Sequence, residues 1–189
     1  MSTIDLGYFS HAPILGAMLA HTSGPVLELG AGDVSTTLIH YACHKAGRYA
    51  CTAESDPEWL MRYAQYNKPG VHDFHLVNGK DMVGKLEAWD TFCQKMAKMP
   101  HWGVCFVDQA PGEARLPSIM TLKENVLFFV VHDFEADEPP GGGNYGWRHL
   151  VGAFKYISVM KRIRPWTAIL SDHYDLELEE MDTCPTKSS

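Results

Sequence analysis

The chain has 189 residues, 46% of them hydrophobic, enough for the core of one enzyme-sized domain. A net charge of −7 and a pI near 5.8 disfavour a nucleic-acid groove, which needs clustered Lys and Arg. No apolar run approaches the roughly 20 residues of a membrane helix, and no signal peptide is visible at the start.

In chain order, Tyr8-Phe9-Ser10-His11-Ala12-Pro13 followed by Ile14-Leu15-Gly16-Ala17-Met18-Leu19 reads as a capped helix that packs on a sheet. The run Val26-Leu27-Glu28-Leu29 then enters Gly30-Ala31-Gly32-Asp33-Val34-Ser35-Thr36. A strand, a G-x-G turn and a helix N-terminus in that order build a nucleotide-binding corner. The glycines let backbone pass close to a ligand, and the free N–H groups of the first helical turn face it. Glu28 adds a carboxylate suited to a cationic group. Ser35 stands where the dinucleotide fingerprint G-x-G-x-x-G has its third glycine, which disfavours NAD or FAD.

A helix is predicted over about Ser35–Ala46, and a second strand over Tyr49–Ala53 ends in Glu54-Ser55-Asp56-Pro57. An acid about 20 residues beyond the glycines is where a carboxylate accepts the two hydroxyl protons of a ribose diol. A helix through Asp56–Tyr66 has Pro57 in its first turn. The third run, Phe74–Val77, ends in Asn78-Gly79-Lys80-Asp81, and a helix follows over about Asp81–Met99. The fourth, Trp102–Val107, ends in Asp108; the fifth, Asn125–Val131, ends in His132-Asp133. Five apolar runs with polar or acidic ends, separated mostly by helical patterns, describe a parallel sheet whose carboxyl-end crevice holds a ligand.

Residues 138–146, rich in Pro and Gly, read as a mobile loop placed where a lid would sit. Phe154–Met160 and Trp166–Leu170 flank a turn carrying Lys161, Arg162 and Arg164, the densest basic cluster, which reads as a solvated hairpin turn. The residues after Asp175 read as a frayed tail. Organisation is thus a helical segment over 1–24, one domain over 25–172 and a tail over 173–189. The five cysteines form no C-x-x-C pair, and reduced thiols in a cytoplasmic protein without zinc are the expectation.

On these residues the chain resembles the class I S-adenosylmethionine (SAM)-dependent methyltransferases. Glu28-Leu29-Gly30-Ala31-Gly32, Glu54 and Asp108 carry the likeness across about Pro25 to Ser171. A V-D-x-x-P-x-x-x-R segment (Val107 to Arg115) and a V-V-H-D segment (Val130 to Asp133) resemble small-molecule O-methyltransferase-like branches. The resemblance implies a Rossmann-like, doubly wound α/β fold, with a mostly parallel seven-stranded sheet and a C-terminal antiparallel hairpin. Implied cofactor contacts are Glu28, Gly30, Ala31, Gly32, Ser35, Thr36, Glu54, Ser55, Asn78, Gly79 and Asp108, with the adenine contact unassigned. Implied catalytic residues are Asp108, His132 and Asp133.

The expected function is methyl transfer from SAM to a small molecule, at oxygen in preference to nitrogen. His132 is the candidate base. Asp108 and Asp133 either orient it or hold a Mg²⁺ ion. Pro111 and Phe134 flank the acids where a further metal ligand would stand, so the metal-free arrangement is slightly favoured, with Glu135 in reach as an alternative ligand. Each residue also has a plainer reading: Gly30 and Gly32 as turn glycines, Glu54 at a helix N-terminus, Asp108 as a cap, His132 as a satisfied structural histidine. A nucleotide-binding oxidoreductase and a catalytically silent scaffold of the same fold are the alternatives. Few residues lie beyond the core fold, so a second copy of the chain is a candidate to complete the acceptor pocket.

Overall fold

In a computed structural model, which describes residues 9–99, 101–135 and 145–176, the strands form one seven-stranded sheet. The elements in chain order are α1 (Ala12–His21), β1 (Val26–Leu29), α2 (Ser35–Ala46), β2 (Ala50–Glu54), α3 (Pro57–Met61), β3 (His72–Leu76), α4 (Met82–Met96), β4 (Trp102–Val107), α5 (Arg115–Leu122), β5 (Val126–Val131), β6 (Tyr156–Met160) and β7 (Thr167–Ser171). The sheet order is β3-β2-β1-β4-β5-β7-β6. The first five strands run parallel, and β7 runs antiparallel between β5 and β6. This is the doubly wound, Rossmann-like sheet with a C-terminal hairpin that the sequence predicts.

Strands buried on both faces need apolar residues, and β4 and β5 supply them throughout, β1 everywhere but at Glu28. On one face Leu15, Met18 and Leu19 of α1 pack with Ile39 and Cys43 of α2 over Val26, Val104, Phe106 and Val130. On the other, Trp89, Phe92 and Met96 of α4 and Ile119 and Leu122 of α5 cover Trp102, Cys105, Phe129 and Leu170. The chain reverses direction across the sheet between β1 and β4, and a crevice opens there at the carboxyl ends.

Several predicted boundaries shift. The helix expected through Asp56–Tyr66 stops at Met61, and residues Ala64–Tyr66 form a separate 3-10 turn. None of the residues of α3 is buried, so it lacks an apolar face to extend it; Asp56 still caps it, accepting from the N–H groups of Glu58 and Trp59. α4 ends at Met96 before Met99, because Pro100 disfavours helical backbone in the residue preceding it. β3 begins at His72, since its first residue already pairs with Ala50.

The expected frayed tail after Asp175 is tied down at Leu176, whose carbonyl accepts from Ser158, just beyond Tyr174, which stacks on Phe128 at 5.6 Å. The loop expected over 138–146 lies outside the described residues except for Tyr145 and Gly146, as does Cys184. Cys43, Cys51, Cys93 and Cys105 are buried free thiols. Among the described residues no helix is long and apolar enough to cross a membrane.

Candidate active site

The turn after β1 depends on glycine for steric reasons. Gly30 has φ +92°, and a Cβ there would lie 2.6 Å from the carbonyl of Asp108. Only a residue without a side chain lets the β1 turn cross the end of β4 this closely. A Cβ on Gly32 would meet the Ser35 hydroxyl at 2.8 Å. The strand ends are tied in sequence: Gly30 donates to Ala53, Asp108 to Leu29 and His132 to Val107. The β1 turn and the acids after β4 and β5 therefore share one level of the sheet.

They open on a cavity of about 950 Å³. Ala31, Gly32, Asp33, Val34 and Ser35 form one wall, and Asp108, His132 and Asp133 form the other. Phe9 and His11 cover it from the segment before α1, with Trp59 at the α3 side and Glu135, Arg164 and Pro165 at the rim. The basic turn between β6 and β7, expected to be solvated, thus sends Arg164 to the cavity. Trp166 holds the turn's cations, with Lys161 and Arg164 lying 4.7 and 5.3 Å from its ring centre.

The acids are not isolated. Arg115, the last residue of the V-D-x-x-P-x-x-x-R segment, places its guanidinium 2.9 Å from both Asp108 Oδ1 and Asp133 Oδ2. Its remaining N–H groups donate to the carbonyls of Gln109, Asp108 and His132, so the fork is saturated and buried. Asp133 has φ +57°, the one non-glycine residue among those described in the left-handed region, and the Arg115 contact holds it there. Sequence reasoning assigned Arg115 no role; its position five residues after Pro111's neighbour Ala110 in that segment was the available signal.

His132 occupies the back of the site. Its Nε2 lies 2.9 Å from the hydroxyl of Ser10, which is fully buried. Its Nδ1 lies 3.3 Å from Asp108 Oδ1 and 3.6 Å from Asp133 Oδ1, in ion-pair range but off the line of a hydrogen bond. Burial works against its charge, yet the close contact and charge of Asp108, then the charge of Asp133, outweigh it and raise the imidazole above its usual range. Burial likewise opposes ionisation of Asp108, but the close contact and charge of His132, with Arg115 behind, hold that carboxyl below its usual range. His11, 4.8 Å from the His132 ring, is pushed down to about 4 by burial and then by its neighbour's charge. Nε2 of His132 therefore faces Ser10, and Nδ1 faces the acids. His132 lines the cavity beside Asp108 and Asp133, whose carboxylates are each 28% exposed.

The remaining sequence candidates divide. Ser35 lines the cavity at the start of α2. Thr36 is buried beneath it, accepting from Gly32 N–H and donating to Glu28. Glu28 is fully buried, with both oxygens taken by Thr36 and Thr52, so it faces α2 and not a cationic ligand. Glu54 does stand at the end of β2, but its carboxylate accepts the backbone N–H groups of Ala31, Ser55 and Asp56 at 2.9, 2.6 and 2.8 Å. Ser55 donates its hydroxyl to the carbonyl of Ala110. Asn78 and Gly79 do not line the cavity; the loop after β3 turns under α4, where a Cβ on Gly79 would lie 2.1 Å from the backbone of Gly84.

Asp108, His132 and Asp133 each offer a ligand atom, all within 4.8 Å of one another. Charge decides against an ion in this arrangement. The Arg115 guanidinium already bridges the two carboxylates, a divalent cation would sit beside that positive charge, and Glu135 at the rim accepts from the Trp166 N–H. The donor set does not fit a metal.

No protein-family model and no curated protein matches the sequence. Solved structures do match the fold. The O-methyltransferase TomG of Streptomyces achromogenes, a protein of tomaymycin synthesis solved with SAM, is 14% identical over 90% of this chain and 81% of its own, at a TM-score of 0.57. A human methyltransferase 10 domain containing protein is 12% identical over 92% and 84%, at 0.56. The METTL16 methyltransferase domain is 14% identical over 92% and 70%, at 0.57. Because METTL16 domains stand beside an O-methyltransferase, this likeness does not favour a small molecule over other acceptors or support the expectation against nucleic acid. The chain has the fold of the class I SAM-dependent methyltransferases.

Proposed function

We propose that this chain is a SAM-dependent methyltransferase acting on a small molecule. One observation carries the reading: the glycine turn after β1 and the acids after β4 and β5 open on a single cavity at the switch point of the sheet. The backbone of Ala31 and Gly32 and the start of α2 at Ser35 form a cradle that a nucleoside with an amino-acid tail fits. Asp108 would take the cationic end of that tail. Glu54 would take the ribose diol, releasing the Ala31 N–H that it now accepts. When bound, SAM supplies a methyl group on a sulfonium, transferred by in-line displacement.

The chain's own residues do the rest. Phe9, His11 and Trp59 shield the cavity from water, and the Asp108–Asp133 wall orients the acceptor. In this reading His132, its Nε2 held by Ser10 and its Nδ1 beside Asp108, positions the carboxylates in place of acting as the base expected from the sequence. The acceptor's proton passes to Asp108 or Asp133. A carboxylate held at low pKa is a weak base, so an oxygen acceptor must be acidic, a phenol or enol and not an alkyl alcohol. Buried reduced thiols fit a cytoplasmic protein. Calorimetry with SAM, S-adenosylhomocysteine and NAD tests the reading. Binding of the first two and not of NAD supports it, NAD binding alone restores the oxidoreductase, and binding without turnover of any acidic hydroxyl leaves the silent scaffold.

A further inference from the structure

Glu28 is fully buried and away from the cavity, but a row of hydrogen-bonding side chains leads from it towards the surface. It sits on β1 facing α2, directly opposite Thr52 of β2 in the parallel register. Thr52 donates to Glu28 Oε2 at 2.7 Å, and the His72 Nε2 lies 2.8 Å from the Thr52 hydroxyl. His72 is buried on β3, and its Nδ1 lies 3.2 Å from the Nδ1 of His40 on α2. His40 is half-exposed, stacked on Tyr66 at 4.3 Å and beside exposed His44. On its other side Glu28 Oε1 accepts from Thr36, whose oxygen accepts the N–H of Gly32 in the turn that walls the cavity.

We propose that Glu28 is a positioning residue for the glycine turn, reached by protons from solvent through a His40–His72–Thr52 path, so that the fastening of the turn follows pH. The donors close without conflict. With Glu28 ionised, His40 Nδ1–H donates to His72 Nδ1, His72 Nε2–H to Thr52, and Thr52 O–H to Glu28. A proton arriving at His40 Nε2 moves each of these hydrogens one place along, and Glu28 receives the last. The path then points the other way: Glu28 donates to Thr52, Thr52 to His72, and His72 Nδ1–H to His40. No charge is left along the chain, and the carboxylate is neutral.

That neutralisation reaches the turn. A hydrogen bond to an ionised acceptor is roughly twice as strong as one between neutral groups, and bonds in series polarise one another. The Gly32–Thr36–Glu28 chain is therefore tighter with Glu28 ionised. Burial is the chief force on this carboxyl; partly offset by Ser35, Thr52 and Thr36 and reinforced by the charge of Glu54, it lifts the group to about 7. Other titratable neighbours are Cys43, Cys51 and Tyr63 around Glu28, Asp73 beside His72, and His44 and Tyr66 around His40. β4 contributes the apolar Phe106 opposite Glu28.

The path stands on these contacts alone; its effect on ligand affinity rests on the proposed function. NMR on the free, carboxyl-labelled protein reads both links. The Glu28 carboxyl and the Gly32 amide should titrate together near neutrality, and Glu28→Gln should leave the Gly32 amide flat. His72→Phe, or the milder His40→Leu, should slow proton exchange at Glu28 by about tenfold or more. A Glu28 that does not titrate, a Gly32 amide indifferent to it, or unchanged exchange in a folded path variant would overturn the proposal. Calorimetry with S-adenosylhomocysteine adds the functional arm. Affinity at pH 8 should exceed that at pH 6 by about fivefold, within the ordinary range of site coupling, and the ratio should fall to one in Glu28→Gln. No binding at any pH would refute the methyltransferase reading while leaving the NMR coupling intact, whereas binding with the same ratio in Glu28→Gln would refute the coupling.

Discussion

The two halves of the carboxyl-end crevice satisfy their acids in different ways. On the β2 side, Glu54 is enclosed by backbone N–H groups, and the turn above it is clamped by α3 and the two residues after it. Trp59 donates its indole N–H to the carbonyl of Ala31, while Arg62 and the hydroxyl of Tyr63 hold Asp33 at 3.0 and 2.8 Å. On the β4–β5 side, Asp108 and Asp133 remain partly exposed to the cavity and are balanced from behind by one buried guanidinium. A carboxylate satisfied by local amides has to release one of them to meet a ligand. One satisfied by a cation at its back still presents a charged face, and that is the face available to chemistry.

The comparison breaks most severely at Arg115. Arg115→Met should leave two carboxylates uncompensated beside a buried histidine, and stability in a urea titration should fall by about 3–5 kcal/mol. A loss near that of an exposed ion pair, under about 1 kcal/mol, would mean that the acids are balanced by solvent. Gly30→Ala should cost about 1–3 kcal/mol from its backbone conformation alone, with the contact to Asp108 added.

Glu28→Gln separates buried from working acids by sign. An acid whose folded pKa is raised from 4.5 to about 7 loses stability progressively as pH rises between those values, and the loss is complete above the upper one. The variant should therefore gain on wild type between pH 5 and pH 8, by at most about 3 kcal/mol. Glu54→Ala strands N–H groups of the turn and should cost about 1–3 kcal/mol.

His132 has the opposite dependence to Glu28's neighbour His72. Its folded pKa lies above 6.5, so its contribution is full below that value and is lost as pH rises through the folded pKa. His11 and His72, both held near 4, contribute stability above 6.5 that is lost as pH falls towards 4. Thermal melts of His132→Gln against wild type from pH 6 to pH 9 should converge as pH rises; a gap that widens would contradict the ion pair.

Much of this was legible in the sequence, because parallel strands buried on both faces are written as unbroken apolar runs. Trp102–Val107 and Val126–Val131 stand out for that reason, and Ser35–Ala46 is bounded by the turn before it and Gly47 after it. Glu28 was misplaced because strand alternation, and not adjacency to the glycines, decides where a side chain points; it faces α2 with Val26. The convergence of Arg115 on two strand ends, and of Ser10 on His132 from 122 residues away, is set by helix and sheet packing that no local pattern records. Asn78 and Gly79 follow a strand as Asp108 does, but theirs is the edge strand, away from the switch point.

The most direct test of the central claim is a crystal structure with S-adenosylhomocysteine. The account predicts the ligand across the turn at Gly32, its ribose on Glu54 with the Ala31 N–H released, its tail beside Asp108, and the Arg115 bridge to Asp108 and Asp133 intact. A ligand bound away from the β1–β4 crevice, or one that displaces Arg115 from the acids, would contradict it.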